Sequence, residues 1–164
     1  MNITIRPVKK TDLDELFSML QELAEHENEV AALGITREDL EREFFGLGAD
    51  WQGLVAADNN DHPIGLLFYS FANLIRSLNQ GPMIQIDDLY IKPAFRKKGV
   101  GQQLLHELAL IAQQKNIRRI YVWCIKDNIH GKNFYEKMGA KNLDFFFVYK
   151  MFSNQLLLKS ASNK

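Results

Sequence analysis

The segment from residue 83 to residue 116 constrains the fold most. An apolar strand pattern over 83–91 is followed by the loop Arg96-Lys97-Lys98-Gly99-Val100-Gly101 and then by helix-type apolar spacing to Asn116. Glycines let backbone amides approach a ligand, and the N-terminus of a helix favours anions. Because three basic side chains lie beside these glycines, the segment predicts a phosphate-binding loop between a strand and a helix.

The predicted strand breaks its own alternation. Ile84 and Ile86 share one parity, whereas Leu89 and Ile91 share the other. A strand with a period of two residues can do this only if its phase slips by one, and a β-bulge near Asp87-Asp88 would produce that slip. Bulges often lie beside active sites, and this one would turn backbone N–H and C=O groups away from the ladder. The alternative interpretation is an irregular strand end.

The rest of the chain completes the pattern of one mixed α/β domain with a central sheet. The predicted order is β-α-α-β-β-β-α-β-α-β, in a single domain over residues 1–158 with a frayed tail at 159–164. The predicted elements are a strand at Ile3–Val8, a helix capped by Thr11 and running to His26, a helix capped by Thr36 and running to Phe45, strands at 54–57, 64–71 and 83–91, a helix at 100–116, a buried strand at Ile120–Cys124, a helix at Gly131–Met138 and a last strand at Phe145–Tyr149.

Composition excludes several classes of protein. The 164 residues are 46% hydrophobic and 24% charged, with no net charge, which argues against disorder and gives no general attraction to nucleic acid. A single cysteine excludes a disulfide scaffold, and the four histidines show no metal-binding spacing, so we expect no metal. No apolar run approaches the length of a membrane helix, and no signal peptide is evident. We therefore expect a cytoplasmic protein without membrane or nucleic-acid partners.

Two motifs together resemble those of the GNAT family of N-acetyltransferases. The loop 96–101 after a bulged strand is similar to that family's pyrophosphate loop, and the segment from Asn128 to Gly139, NIHGKNFYEKMG, is similar to its Asn-x-x-small-x-x-Phe-Tyr-x-x-x-Gly pattern. The motifs occur in the family's order and spacing. The resemblance implies a GNAT-like α/β fold, with a mostly antiparallel sheet flanked by helices, and acetyl-CoA as the cosubstrate.

A finer resemblance is to the diamine acetyltransferase branch, which includes thialysine acetyltransferases. The segment 22–27, ELAEHE, is similar to that branch's Glu-Leu-Ala-x-Tyr-Glu, and 36–40 and the acidic pair Asp87-Asp88 also resemble it. His26 stands where the branch usually has Tyr, and Asp87 where it usually has Glu. These departures concern the amine acceptor rather than the acetyl-CoA chemistry.

The resemblance implies a role for each motif residue. The backbone N–H of Leu89 would polarise the thioester carbonyl, and Tyr135 would be the general acid, since a phenol with a pKa of about 10 can protonate an alkyl thiolate. Asn128 would bind the pantetheine or the thiol region. The expected cofactor-binding residues are Leu89, Tyr90, Ile91, Arg96, Lys97, Lys98, Gly99, Val100, Gly101, Gln102, Asn128 and Tyr135.

Acidic residues are the candidates for binding the acceptor. Asp87 or Asp88 would bind an ammonium group and take its proton through water, because a carboxylate with a pKa of about 3.9 is a weak base toward an amine with a pKa of about 10.4. Glu27 and Glu29 would bind a second cation of the acceptor, and His26 is a further candidate for binding the acceptor. A solvated acidic surface is the alternative for all of these carboxylates. Tyr69 and Phe71 would line the acceptor cleft or only pack the sheet.

The leading hypothesis is direct transfer of acetyl from acetyl-CoA to a primary amine of a polyamine, diamine or thialysine-like acceptor. The alternatives are acetylation of a protein or peptide amine or an aminoglycoside, and a non-catalytic acyl-CoA sensor. The resemblance also implies a homodimer. The run Phe145–Phe147 would place rings on both faces of a strand, one of them against a partner subunit or both buried within one chain.

Overall fold

Five strands form one sheet, and four helices accompany it in the computed structural model, which describes residues 2–27, 34–73, 81–144 and 152–153. The chain divides into two compact units, Met1–Ile129 and His130–Lys164, which are described separately. The elements are β1 (Thr4–Pro7), α1 (Leu13–His26), α2 (Arg37–Phe45), β2 (Gln52–Ala57), β3 (Pro63–Ala72), β4 (Met83–Ile91), α3 (Val100–Gln114), β5 (Ile120–Val122) and α4 (Ile129–Lys137).

The sheet has the strand order β1-β2-β3-β4-β5. The first four strands pair antiparallel with their sequence neighbours, whereas β5 pairs parallel to β4 after the crossover through α3. The predicted hairpin between β2 and β3 is present. Its turn is held by Asp58, whose carboxylate accepts the backbone N–H groups of Asn60 and His62 at 2.8 and 3.0 Å. The prediction of a mixed, mostly antiparallel α/β fold is confirmed.

Each face of the sheet has its own apolar core because side chains alternate along the strands. One face packs on α3, and the other packs on α1 and α2. Burying one such side chain contributes about 1.5–3 kcal/mol to stability. The α3 core contains Leu54, Ala56, Leu67, Tyr69, Ile84 and Ile86 with Val100, Leu104 and Leu108, and the α1–α2 core contains Val55, Leu66, Phe68 and Tyr90 with Leu13, Leu16, Met19, Leu20 and Leu40.

Helix capping differs between the first two helices. Thr36 caps α2 as predicted, since its hydroxyl accepts the Asp39 N–H while the Asp39 carboxylate accepts the Thr36 N–H. The prediction that Thr11 caps α1 is wrong. A 3-10 turn at Lys10–Asp12 precedes α1, and the Asp12 carboxylate binds the Lys9 N–H.

The strand predicted at Ile120–Cys124 is shorter and less buried than expected. β5 ends at Val122, Ile120 is 38% exposed, and Trp123 is 63% exposed. Within the described part of the chain, β5 pairs on one side only, with β4, so a continuous apolar run did not mean a buried strand. The predicted strand at Phe145–Tyr149, the tail at 159–164 and Glu29 lie outside the described residues.

In the second unit, the last residue of α4 is Lys137. Gly139, which was predicted to stop the helix, follows two residues later with a φ of +90°. The rings of Phe134 and Tyr135 are 5.4 Å apart, at 65° to each other. None of the helices in the described residues is long and apolar enough to cross a bilayer.

Candidate functional site

The predicted bulge is present in β4. Phe68 of β3 pairs with Asp88, and the next residue, Tyr69, pairs with Ile86, so Asp87 is the extra residue. Ile86 and Leu89 both pack toward the α3 core, although they are three positions apart. The bulge therefore turns both intervening carboxylates to the opposite face, which is the face covered by α1.

The sheet opens at the same point. β5 pairs with β4 only over Ile84–Ile86, and the pairing ends where the bulge begins. From Asp87 to Ile91, β4 is paired with β3 alone among the described strands. An unpaired strand edge presents backbone N–H and C=O groups, so this opening can accept an extended polar ligand by main-chain hydrogen bonds.

The loop after β4 is shaped for an anion. Lys97 and Gly99 have φ values of +58° and +79°, and Gly99 is the N-cap of α3. The N–H groups in the first turn of a helix have no acceptor within the helix, and the first turn of α3 carries no acidic residue. The backbone at Val100, Gly101 and Gln102 therefore presents a helix N-terminus whose electrostatic field favours an anion.

Arg96 ties this loop to the end of β4. Its Nε–H donates to the Ile91 carbonyl at 2.9 Å, and its guanidinium lies 5.2 Å from the centre of the Tyr90 ring. The Tyr90 hydroxyl donates to Glu22 of α1 at 2.7 Å. Burial and this carboxylate raise the pKa of Tyr90 to about 12. This link between α1, β4 and the loop was not predicted from the sequence.

Three carboxylates gather beside the bulge on the α1 face. Burial, together with the charges of Asp87 and Glu27, raises the pKa of Asp88 to about 6. Burial also raises the pKa of Asp87, and a long hydrogen bond of 3.4 Å from the Ser70 hydroxyl opposes that shift. Glu27 follows the last residue of α1 and accepts the side-chain N–H of Asn128 at 2.9 Å.

No Lys or Arg forms an ion pair with Glu27, Asp87 or Asp88 in the described residues. No group of three His, Cys, Asp or Glu side chains suited to a metal occurs in that part of the chain. Within the part of the chain that the structure describes, the cluster is therefore a negative patch without a basic partner.

The structure brings most of the predicted residues together. Asp87, Asp88 and Glu27 share one face, Leu89 to Ile91 line the open edge, and Asn128 reaches the carboxylate cluster.

Other predicted residues lie apart from this cluster. His26 is exposed at the end of α1, Tyr69 is 6% exposed in the α3 core, and Phe71 is 41% exposed. Tyr135 lies in the second unit. Gln85, which interrupts the apolar run at the start of β4, was missed although its polarity was a visible signal.

The open strand edge is followed along the chain by a helix N-terminus that favours anions, and the carboxylate cluster lies beside the bulge of the same strand. This arrangement suits an extended phosphorylated cofactor beside a cation. Residues 13–140 match the family model described as the acetyltransferase (GNAT) family. The chain belongs to this family, and it is accordingly an acetyl-CoA-dependent N-acetyltransferase.

Proteins similar to this chain extend over most of its length. A thialysine N-epsilon-acetyltransferase of Sus scrofa is 27% identical over 146 residues, which are 87% of this chain and 86% of that protein. A thialysine N-epsilon-acetyltransferase of Caenorhabditis elegans is 28% identical over 92% of both chains. An integron cassette protein from the mobile metagenome of V. cholerae shares the fold with a TM-score of 0.75 and 24% identity, covering 98% of each chain.

Proposed function

We propose that the protein transfers acetyl from acetyl-CoA to a primary amine of a small cationic acceptor, such as a polyamine, a diamine or a thialysine-like amine. The uncompensated carboxylates Glu27, Asp87 and Asp88 at the bulge carry this proposal. An acceptor with two or more ammonium groups supplies the positive charge that the described fold does not provide there. The thialysine acetyltransferases similar to this chain act on such an amine by name.

The cofactor is assigned to the open edge and the loop. The backbone of Leu89, Tyr90 and Ile91 would hold the pantetheine arm, and the amides from Lys98 to Gln102 would hold the pyrophosphate. The loop fits this assignment, because a Cβ added at Gly99 would meet no atom within 4 Å and the backbone faces open space. Because the Arg96 guanidinium donates to the Ile91 carbonyl, we assign Arg96 mainly to shaping the loop. Lys97 and Lys98 would supply the positive charge for the pyrophosphate.

The reaction forms a bond between the amine nitrogen and the acetyl carbon and breaks the bond from that carbon to sulfur. The Leu89 N–H would stabilise the negative charge that develops on the thioester oxygen. Asp88, with a pKa of about 6, is a stronger base than an ordinary aspartate and would take the ammonium proton through water. On the strength of its motif, Tyr135 is assigned as the acid that protonates the leaving thiolate.

A panel of amines tests the proposal. Purified protein and acetyl-CoA are incubated with spermidine, spermine, short diamines, thialysine, lysine, an aminoglycoside and a peptide, and thiol release is followed. We expect the highest kcat/KM with the diamines, polyamines or thialysine. Activity confined to the peptide or the aminoglycoside would contradict the acceptor class but keep the enzyme class. Acetyl-CoA binding without turnover on any amine would contradict the acceptor class as well.

We also propose a homodimer, on the resemblance to the family. Sedimentation equilibrium of the full chain measures it, and a monomer at micromolar concentration would contradict it.

A further inference from the structure

Gln85 is a buried polar residue that the core does not use. It is 6% exposed and lies two residues before the bulge, between Ile84 and Ile86 of β4. Its side-chain amide nitrogen donates to the Ile86 carbonyl at 2.8 Å, so the amide leans forward along the strand, toward the peptide that joins Ile86 to Asp87. In the described structure its side-chain oxygen, Oε1, has no hydrogen-bond donor.

A second orphaned acceptor lies on the same face of β4, two residues later. Asp87 Oδ2 is buried and has no donor within the described residues. The other Asp87 oxygen receives only the long hydrogen bond from Ser70, and Ser70 is the partner of Gln85 in the β3–β4 register. Gln85, Ser70 and Asp87 therefore lie on the same face of the sheet, which is the face that carries Asp88.

The fold alone does not account for these two oxygens. Native proteins satisfy the great majority of buried polar side-chain atoms, and an unsatisfied acceptor costs stability. The neighbouring residues of this strand are Met83, Ile84 and Ile86, so an apolar side chain at position 85 would suit the sheet. Two buried acceptors without donors on one face of the strand, two residues apart, instead match a ligand that brings N–H donors.

We propose that Gln85 determines acceptor specificity: its Oε1, together with the Asp87 carboxylate, accepts N–H groups from the second, non-reacting amine of the acceptor. The inference rests on the proposed function and adds a residue and a place for the second amine. The reacting amine lies at Asp88 and the Leu89 N–H, and the second amine lies further back along β4. A neutral amide oxygen beside one carboxylate binds an ammonium without adding a further buried charge to the cluster.

The test compares two amines that differ only in the second nitrogen. Putrescine and n-butylamine share a four-carbon chain, and kcat/KM is measured for both with the wild type and Gln85→Met. Methionine keeps the length of glutamine and removes its hydrogen-bonding groups. We expect the preference for putrescine to fall about tenfold through KM, with kcat and the n-butylamine values unchanged, because a polar site discriminates against loss of its donor. Gln113→Met, on the exposed face of α3, is the matched control and should change neither amine.

Thermal unfolding separates specificity from structure. Gln85→Met removes the unsatisfied oxygen and also the hydrogen bond from the side-chain N–H to the Ile86 carbonyl. These effects oppose each other, so the Tm of Gln85→Met should lie within about 4 °C of that of the wild type. A lower Tm with equal losses for both amines would show a structural role and overturn the inference, as would an unchanged preference for putrescine. If neither amine reacts with the wild type, the proposed function fails first and the inference fails with it. If Gln85→Met does not fold, Gln85→Leu replaces it in the kinetic test. Independently of any variant, putrescine should raise the Tm of the wild type more than n-butylamine does.

Discussion

Asn128 donates its side-chain amide hydrogen to Glu27, 101 residues earlier in the chain, with Nδ2 and Oε1 2.9 Å apart. The bond joins the end of α1 to the segment that precedes α4. Glu27 also lies close enough to Asp88 for its charge to raise the pKa of Asp88. A contact between distant parts of the chain thus involves a carboxylate that we assign to the acceptor.

Glu27→Gln tests the charge of this carboxylate separately from its position. Glutamine still offers an oxygen to Asn128, so the fold is kept while one negative charge is lost. We expect KM for a diamine or polyamine to rise about fivefold to tenfold, as for the loss of one charged hydrogen bond. Steady-state kinetics measure the effect. Glu25→Gln, an exposed substitution two residues earlier on α1, should leave KM unchanged, and equal effects of the two substitutions would point to general surface charge.

Asp88→Asn tests the pH dependence of acceptor binding. In the proposed mechanism the ionised form of Asp88 binds the ammonium. The pKa of Asp88 is raised to about 6, so kcat/KM for the amine should rise as pH increases through about 6. The apparent pKa belongs to the coupled pair of Asp87 and Asp88. In Asp88→Asn this limb should be lost and activity reduced. An unchanged limb near pH 6 in the variant would assign the titration elsewhere.

The same residue makes a prediction for stability. An aspartate titrates near 3.9 in the unfolded chain and near 6 in this fold, so the folded state binds more protons between these pH values. The contribution of Asp88 to stability is therefore present below about pH 4 and is lost as pH rises to about 6. We therefore expect the free energy of unfolding of Asp88→Asn, relative to that of the wild type, to increase by about 1 to 3 kcal/mol from pH 4 to pH 7. Urea unfolding measures it at each pH.

Gly99→Ala tests the anion-binding loop, and Gly48→Ala is its matched control. Both glycines have positive φ, +79° and +78°, and open space where a Cβ would lie. Each substitution should cost about 1 kcal/mol of stability, because alanine disfavours this backbone conformation. Only Gly99→Ala should raise KM for acetyl-CoA, by about tenfold or more. Equal KM values for the two variants would remove Gly99 from the cofactor site.

Tyr135→Phe tests the proposed general acid. The substitution keeps the ring against Phe134 and removes the hydroxyl. We expect kcat to fall about a hundredfold, with acetyl-CoA affinity within twofold of the wild type, because general acid catalysis contributes about that much. Turnover and equilibrium binding of acetyl-CoA are measured side by side. Unchanged turnover would exclude Tyr135 as the acid.

The sequence predicted local structural features well where local chemistry and sheet periodicity agree. The parity change between Ile86 and Leu89 has one simple solution in a sheet, and the bulge at Asp87 is that solution. Thr36 was followed by a residue able to complete the capping box, and the box forms. These features depend on residues close in sequence, so one amino-acid sequence is enough to identify them.

The wrong predictions, and the residue that was not predicted, concern features that depend on contacts outside the local sequence pattern. Thr11 has the right chemistry for a cap, but Asp12 binds the Lys9 N–H and an arginine of β1, and the helix starts later. Ile120 is apolar, yet β5 pairs on one side only among the described strands. Gln85 is significant only because the register places it beside Ser70 and behind Asp87. No local propensity reports such neighbours.

The separation of β4 from β5 after Ile86 has an evolutionary consequence. A ligand bound along that free edge is recognised by peptide groups, which every amino acid carries alike, so mutation of the side chains there leaves recognition of that ligand largely unchanged. The side chains at positions 85, 87 and 88 are those that we assign to the other substrate, the amine. A descendant of this protein can therefore exchange one amine for another by point mutation while keeping the same acetyl donor.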